Sequence, residues 1–326
     1  MKASVIIPVK NGGLLFKKVL SAVLSQETPW PFEVLIIDSG STDGTFEYSL
    51  SVLAVRTYKI HPQEFGHGKT RNLGLSLTCG EFGVFLTQDA LPTSNRWLLK
   101  LVSSVDKNLK IAGAFGRHIA YTDHGPFIAQ DIETHFDGLR EFGSLVELDD
   151  PERYQNDEDY QQALHFFSNN NSCIRRSVWN KIPFDDVDFS EDMVWAKRII
   201  EAGYKKAYAD DAIVYHSHSF GFIEGVQRSF DEAWSLKRNF DSKMCPTIAH
   251  FFGILFFSTT SNYIYGIKKG IFLKNPAWIF RIPISILSIQ IGYFWGQRAN
   301  LFPKPFIELI SRDKILQKRS NVKPVD

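Results

Sequence analysis

Residues 3–26 read A-S-V-I-I-P-V-K-N-G-G-L-L-F-K-K-V-L-S-A-V-L-S-Q, and the change of period inside this stretch decides the fold class. Residues 3–9 form a near-continuous apolar run, the pattern of a strand buried on both faces. The run stops at Lys10-Asn11-Gly12-Gly13. From there Leu15, Val19, Ala22 and Val23 recur at helical spacing. Strand, turn and helix in that order open an α/β sheet.

The alternation continues outward from this unit. Residues 32–37 read as a second strand that runs into D-S-G-S-T-D-G-T (38–45), a loop that is small and polar where a ligand needs backbone and carboxylate. A third strand is expected at 54–60. It is followed by E-F-G-H-G-K-T-R-N-L-G (64–74), which opens a helix. Neither G-x-x-x-x-G-K nor G-x-G-x-x-G fits that block, yet Lys69 and Arg71 near a helix N-terminus suit a diphosphate. A fourth strand at 81–86 carries Thr87-Gln88-Asp89 at its C-terminal end, the edge where open α/β sheets collect ligands. A helix at 95–105 and a strand at 111–119 follow. Residues 120–162, with acidic runs at 147–152 and 156–159, are expected to be solvated loops.

Order is expected to return at 165–179 and to lead into F-S-E-D-M-V-W-A-K-R-I-I-E-A-G-Y (189–204). Here Ser190 is the expected N-cap, Glu191 and Asp192 sit in the first helical turn, and Gly203 ends the helix. A short strand at 212–215 then delivers His216 and His218, two residues apart and so on one face. Two acids at a helix mouth and two imidazoles at a strand end make a plausible reaction floor. The plainer alternative is that the acids complement the helix dipole and the histidines are polar strand-end residues. The dipole is also expected to lower the Asp192 pKa.

Composition sets the outer limits. With 326 residues, 44% hydrophobic and 22% charged, the chain suffices for one large domain with an annex or for two domains. Its three cysteines are odd in number and lack C-x-x-C spacing, which argues against a disulfide framework or a cysteine zinc site and fits a reducing compartment. The N-terminal apolar run is too short for a signal-peptide core, so export is not expected. Residues 246–326 carry 11 Lys and Arg against 3 Asp and Glu, while residues 1–245 carry a net charge of −7. The basic part is also rich in aromatics, with apolar stretches at 248–267 and 276–296. Polar residues interrupt the first and Arg281 the second, so helices lying on an anionic membrane surface are expected rather than clean spans. Motifs of common nucleic-acid-binding folds are missing, and no nucleic-acid partner is expected.

Taken together, V-I-I-P-V-K-N, I-D-S-G-S-T-D-G-T, F-G-H-G-K-T-R-N-L-G, F-L-T-Q-D-A-L-P, S-E-D-M-V-W-A-K-R-I-I-E-A-G-Y and V-Y-H-S-H-S, in this order, resemble the family 2 inverting glycosyltransferases of GT-A fold. The H-G-x-T-R-N, T-Q-D-A and Y-H-S-H blocks are most similar to the bacterial rhamnosyltransferase branch, which builds surface polysaccharides such as O-antigen. The resemblance covers roughly residues 2–240. It implies an α/β GT-A catalytic domain over 1–240, with a mixed, mainly parallel sheet, and a helical annex over 246–326. Pro8, Val9 and Asn11 would line the nucleotide pocket, Asp38 would accept the N3 proton of a pyrimidine base, and Lys69, Arg71 and Gln88 would contact the nucleotide sugar. Asp89 stands where the last acid of the family's D-x-D motif binds a divalent cation, Mg²⁺ or Mn²⁺. Thr87 occupies the place of the first acid, a departure that removes one carboxylate. His216, and then His218, would complete the cation or phosphate contact. Asp192, the second acid of the pair with Glu191, would be the general base. The resemblance further implies transfer of a sugar, L-rhamnose from dTDP-rhamnose, to a lipid-linked glycan on the cytoplasmic face of the membrane. The alternatives are another UDP-sugar donor or a non-catalytic sugar-nucleotide-binding scaffold.

Overall fold

The computed structural model describes residues 1–315, so the last part of the expected annex, 316–326, lies outside the described residues. The chain divides into two units: Met1–Val187 with Glu191–Ser217, and Asp188–Ser190 with the chain from His218 onward.

The first unit is built on one sheet with strands β1 (Ala3–Val9), β2 (Phe32–Asp38), β3 (Arg56–Lys59), β4 (Phe82–Leu86), β5 (Leu91–Pro92), β6 (Ile111–Ile119), β7 (Leu145–Val146), β8 (Asn171–Arg175) and β9 (Lys205–Tyr215). Their order is β3-β2-β1-β4-β8-β6-β9-β5, with β7 also paired to β9. β1 to β4 run parallel, β8 is antiparallel to both β4 and β6, and β9 is parallel to β6. The sheet is thus mixed and mainly parallel, as expected. One consequence fixes the site: the C-terminal ends of β1, β2, β4, β6 and β9 and the start of β8 all lie along one sheet edge.

Alternation along the inner strands explains why they are apolar throughout. Val5, Ile7, Val34 and Ile36 enter one core layer, packed on the Gly13–Leu24 and Trp97–Asp106 helices. Ile6, Leu35 and Ile37 enter the other, with Leu75 and the Trp195, Ala196, Ile199 and Ile200 face of the Glu191–Glu201 helix. Each such fully buried aliphatic side chain contributes about 1.5–3 kcal/mol. Gly203, at φ +79°, ends that helix as its sequence suggested. A polar brace crosses the layers: Trp97 Nε1 donates to Asn171 Oδ1 at 2.8 Å, and Asn171 Nδ2 donates to the Ala212 carbonyl at 2.8 Å.

Two expectations need correction. Residues 120–162 are largely helical, in the helices Pro126–Phe142, Pro151–Asn156 and Glu158–His165. The acidic residues that read as loop are in part caps: Asp150 accepts the Arg153 N–H and Asp157 the Tyr160 N–H. Ser190 is not an N-cap. It sits at φ +63°, in the left-handed region, whereas a capping residue takes extended backbone.

The second unit differs from the expected annex in where it begins. The Phe222–Phe240 helix belongs to it, together with Ile248–Lys268 and Trp278–Gly296. The reason is a pair of small-residue faces. A Cβ on Gly292 would stand 2.4 Å from the Val226 carbonyl oxygen and 2.6 Å from Ser229 Cβ. One on Gly296 would stand 2.4 Å from the Phe230 carbonyl oxygen and 2.9 Å from Ala233 Cβ. One on Gly225 would meet Ser288 Oγ at 2.6 Å. The contacts advance together along both helices, which therefore pack in parallel with their backbones in close approach.

Candidate active site

The first part of the site is the pair of turns after β1 and β2. Asp38 is fully buried at the end of β2, and its Oδ1 accepts the N–H groups of Gly40 and Ser41 at 2.9 and 3.0 Å. Its Oδ2 has no hydrogen-bond partner. Asn11, at φ +51°, accepts the Thr42 N–H at 2.7 Å and donates its own N–H to Ser41 Oγ. Gly13 N–H meets Asp43 Oδ2 at 3.0 Å. The two turns are therefore laced into one rigid rim, with Pro8 half-buried and Val9 buried beneath it. Gln88 closes the rim from β4: its amide accepts the Lys10 N–H at 2.8 Å and donates to the Lys10 carbonyl at 3.2 Å. That pairing prolongs the β1–β4 contact and takes up the Gln88 side chain.

The second part is a carboxylate and an imidazole. Asp89 Oδ1 and His216 Nε2 stand 3.7 Å apart at the ends of β4 and β9. Two ligands of one octahedral cation at ~2.1 Å stand roughly 3 Å from each other, so a small adjustment of either side chain suffices. An oxygen and a nitrogen donor suit a divalent metal ion, and Thr87, where a second carboxylate was expected by resemblance, keeps a buried hydroxyl without a hydrogen-bond partner. Tyr121 holds the two segments together. Its Oη donates to the Asp89 carbonyl at 2.9 Å, its N–H donates to Ser217 Oγ at 2.9 Å, and its ring stacks on Tyr215. Behind His216 lies His118, with ring centroids 5.1 Å apart; burial, and then His216 itself, pushes the His118 pKa well below its ordinary value. His218 is exposed and opens the second unit's long segment.

The third part is the acid pair. Glu191 Oε1 meets Arg71 Nη1 at 2.8 Å, with side-chain exposures of 6% and 5%. Arg71 also donates from Nη1 to the His67 carbonyl and lies over the Phe85 ring, and its buried Nε has no hydrogen-bond partner. Burial opposes the Glu191 charge, but Arg71, then His67 and the Asn169 amide, outweigh it and hold the carboxyl below its ordinary range. Asp192 is different. The residue as a whole is partly exposed, yet burial of its carboxyl, then the neighbouring Glu191 charge, push the pKa up to about 7. The expected lowering by the helix dipole is thus reversed, because desolvation and a like charge next door exceed a terminal dipole effect.

Of the residues singled out in the sequence, Asp38, Asn11, Gln88, Asp89 and His216 do lie at one sheet edge, at strand ends. Arg71 is placed otherwise, as the partner of Glu191, and Lys69 is exposed on the first turn of the His67–Ser76 helix. Sequence reasoning missed Asn169 and Tyr121. The only signal for the first was an Asn-Asn-Asn run immediately before a strand, and nothing marked the second.

The family description that matches residues 4–182 is Glycosyl transferase family 2. The chain is 29% identical over 314 residues to the O-antigen chain rhamnosyltransferase RfbN of Salmonella typhimurium, covering 93% of this chain and 92% of that one. It is 30% identical over 306 residues to the O-antigen chain rhamnosyltransferase WbaN of Salmonella anatum, covering 92% and 90%. Among solved structures, the mannosyltransferase PcManGT of Pyrobaculum calidifontis, in complex with GDP-Man and Mn²⁺, superposes with a TM-score of 0.56 at 16% identity, covering 91% of this chain and 88% of that one. That likeness supports the GT-A fold.

The acid pair makes a signed prediction. If Asp192 must be ionised, kcat/KM falls as pH drops through about 7. Glu191→Gln removes the like charge, lowers the Asp192 pKa and carries the acid limb to lower pH. A pH–rate profile checks this; an unmoved or upward-shifted limb contradicts it.

Proposed function

The chain belongs to glycosyl transferase family 2, and from that premise we propose that this glycosyltransferase moves L-rhamnose from dTDP-rhamnose to a lipid-linked surface glycan by inverting single displacement. The observation that carries the reading is the likeness to two O-antigen chain rhamnosyltransferases over more than nine-tenths of this chain. Asp192 is the general base. It takes the proton of the acceptor hydroxyl while that oxygen bonds to the anomeric carbon, and the bond to the nucleoside diphosphate breaks with its electron pair leaving on the diphosphate. Asp38, whose buried Oδ2 has no hydrogen-bond partner within the protein, reads the N3–H edge of a pyrimidine. Asp89 and His216 would hold Mg²⁺ or Mn²⁺, which when bound would offset the charge growing on the leaving group.

The second unit supports a membrane-surface role on the cytoplasmic side. Phe252, Phe256, Phe257, Ile267, Leu273 and Phe280 are 60–92% exposed, far more apolar surface than scattered single residues give. Lys268, Lys269 and Lys274 lie among them in the chain. Among the described residues, Trp278–Gly296 alone is long and apolar enough to cross a membrane. It contains Arg281 and Pro283, and its small-residue face is packed on Phe222–Phe240, so an interfacial position is the one proposed.

Two experiments follow. The purified protein, given an acceptor, is expected to transfer from dTDP-rhamnose at least tenfold faster than from UDP-glucose or UDP-galactose, and Asp192→Asn to lose transfer by about 10²–10⁴ with donor affinity kept. A tenfold preference for a UDP-hexose overturns the rhamnosyl assignment. In liposome flotation, the full chain is expected to bind anionic vesicles in a salt-sensitive manner, and the triple change of Phe252, Phe256 and Phe257 to Ser to weaken that binding. Flotation indifferent to lipid charge and to the triple change overturns the membrane assignment.

A further inference from the structure

The turn just before β8 brings one residue against both acids. Asn169 is 1% exposed, and three of its four polar groups meet the acid pair or Ser172. Its backbone N–H donates to Asp192 Oδ2 at 3.0 Å, its side-chain NH₂ donates to Glu191 Oε1 at 3.1 Å, and its side-chain oxygen accepts the Ser172 hydroxyl at 2.8 Å. The Glu191 carboxylate fixes which way the amide faces: ionised, it can only accept, so the NH₂ must point at it, and the Ser172 hydroxyl then donates to the remaining amide oxygen.

The consequence for the two acids is unequal. Glu191 Oε1 already accepts from Arg71 Nη1, and the Asn169 amide adds a second donor to the same oxygen in a site 4% exposed. Glu191 is thereby held as a nearly buried, paired anion whose Oε1 is already taken by two donors. Among the described residues, Asp192 receives backbone donors alone, from Asn169 on Oδ2 and from Met193 on Oδ1 at 2.9 Å. An ionised carboxylate offers about four lone-pair sites, so two remain for an acceptor hydroxyl, and the two N–H groups fix the plane of the carboxylate.

We propose that Asn169 is the positioning residue that divides the labour of the acid pair, locking Glu191 into its ion pair with Arg71 and orienting Asp192 toward the acceptor hydroxyl. This rests on the reading of Asp192 as the general base. The charged and titratable groups around the pair are Arg71 and His67 from the His67–Ser76 helix and the two acids themselves. Asn169 is the neutral member, and its neutrality matters: a carboxylate in its place would repel both acids.

The test compares Asn169→Ala, Asn169→Asp and Ser172→Ala with Asp192→Asn in the full chain, with melting temperature, donor affinity by calorimetry and the pH profile of kcat all measured. Asn169→Ala keeps the backbone N–H to Asp192 but removes the amide's bonds to Glu191 and Ser172, which hold that N–H in place and lock Glu191, and it is expected to lower kcat at least tenfold with donor affinity within twofold of the parent. Asn169→Asp is expected to move the acid limb to higher pH by a unit or more, since a third carboxylate disfavours ionisation of Asp192, an effect that a purely structural role would not produce. Ser172→Ala, which keeps Asn169 and its bond to Glu191 but removes the hydroxyl that anchors the amide oxygen, is expected to show a milder loss of kcat and decides the matter if the Asn169 variants do not fold. Parent-like kcat and pH profile in folded Asn169→Ala, or in Ser172→Ala where the former is unfolded, overturn the inference. If Asp192→Asn retains turnover, the base assignment itself fails, and the two failures are told apart.

Discussion

Arg71 and Glu191 meet 2.8 Å apart with almost no exposure, and the rest of the site is arranged around that pair. Burying two charges is expensive, and their attraction offsets it only when further hydrogen bonds satisfy the remaining groups. Here the His67 carbonyl takes a second Arg71 donor and the Asn169 amide reaches the same Glu191 oxygen. The pair joins the helix after β3 to the helix that carries Asp192. It also places a permanent negative charge beside Asp192. That charge, added to burial, raises the Asp192 pKa from 3.8 to about 7. A base of that strength is matched to neutral pH, where a carboxylate in its ordinary range would accept a proton more weakly. The fold bears a cost for it. A raised carboxyl pKa contributes stability that is complete below the unfolded value and lost as pH rises to about 7, so ionised Asp192 strains the native state wherever the site is active.

Topology explains why so few residues gather so much chemistry. Parallel strands end on the same edge, and the reversed strand β8 begins there, so Asp38, Asp89, Tyr121, Asn169 and His216 come together from segments far apart in the chain. The lacing of Asn11 to Thr42 and of Gln88 to Lys10 makes that edge stiff before any ligand arrives. Pre-set geometry of this sort lowers the entropic demand of bringing donor and acceptor into line.

Much of this was legible in the sequence, and the limits are physical. Periodicity disclosed the parallel sheet because strands buried on both faces are apolar throughout, and turn chemistry placed Asp38 and Asp89 at strand ends. Periodicity could not disclose Arg71, because a basic residue near a helix N-terminus looks the same whether it awaits a phosphate or a buried glutamate. The sign of the Asp192 shift was missed for a related reason. The helix dipole can be read from local sequence, whereas desolvation depends on what packs above. Helices at 126–165 were hidden by their charge, since capping aspartates and loop aspartates are the same letters. The boundary of the second unit was hidden because Gly225, Ser229 and Ala233 acquire meaning only opposite Ser288, Gly292 and Gly296.

The central claim is that one carboxylate, Asp192, acts as a base, while its neighbour is locked in an ion pair and forms no bond to the sugar. The most direct measurement is the anomeric configuration of the transferred sugar, read from the one-bond carbon–proton coupling at its anomeric centre by NMR. A single displacement assisted by Asp192 gives the configuration opposite to that in the donor. Retention of the donor configuration would require a covalent sugar–enzyme intermediate or an equivalent double displacement, and would contradict the account.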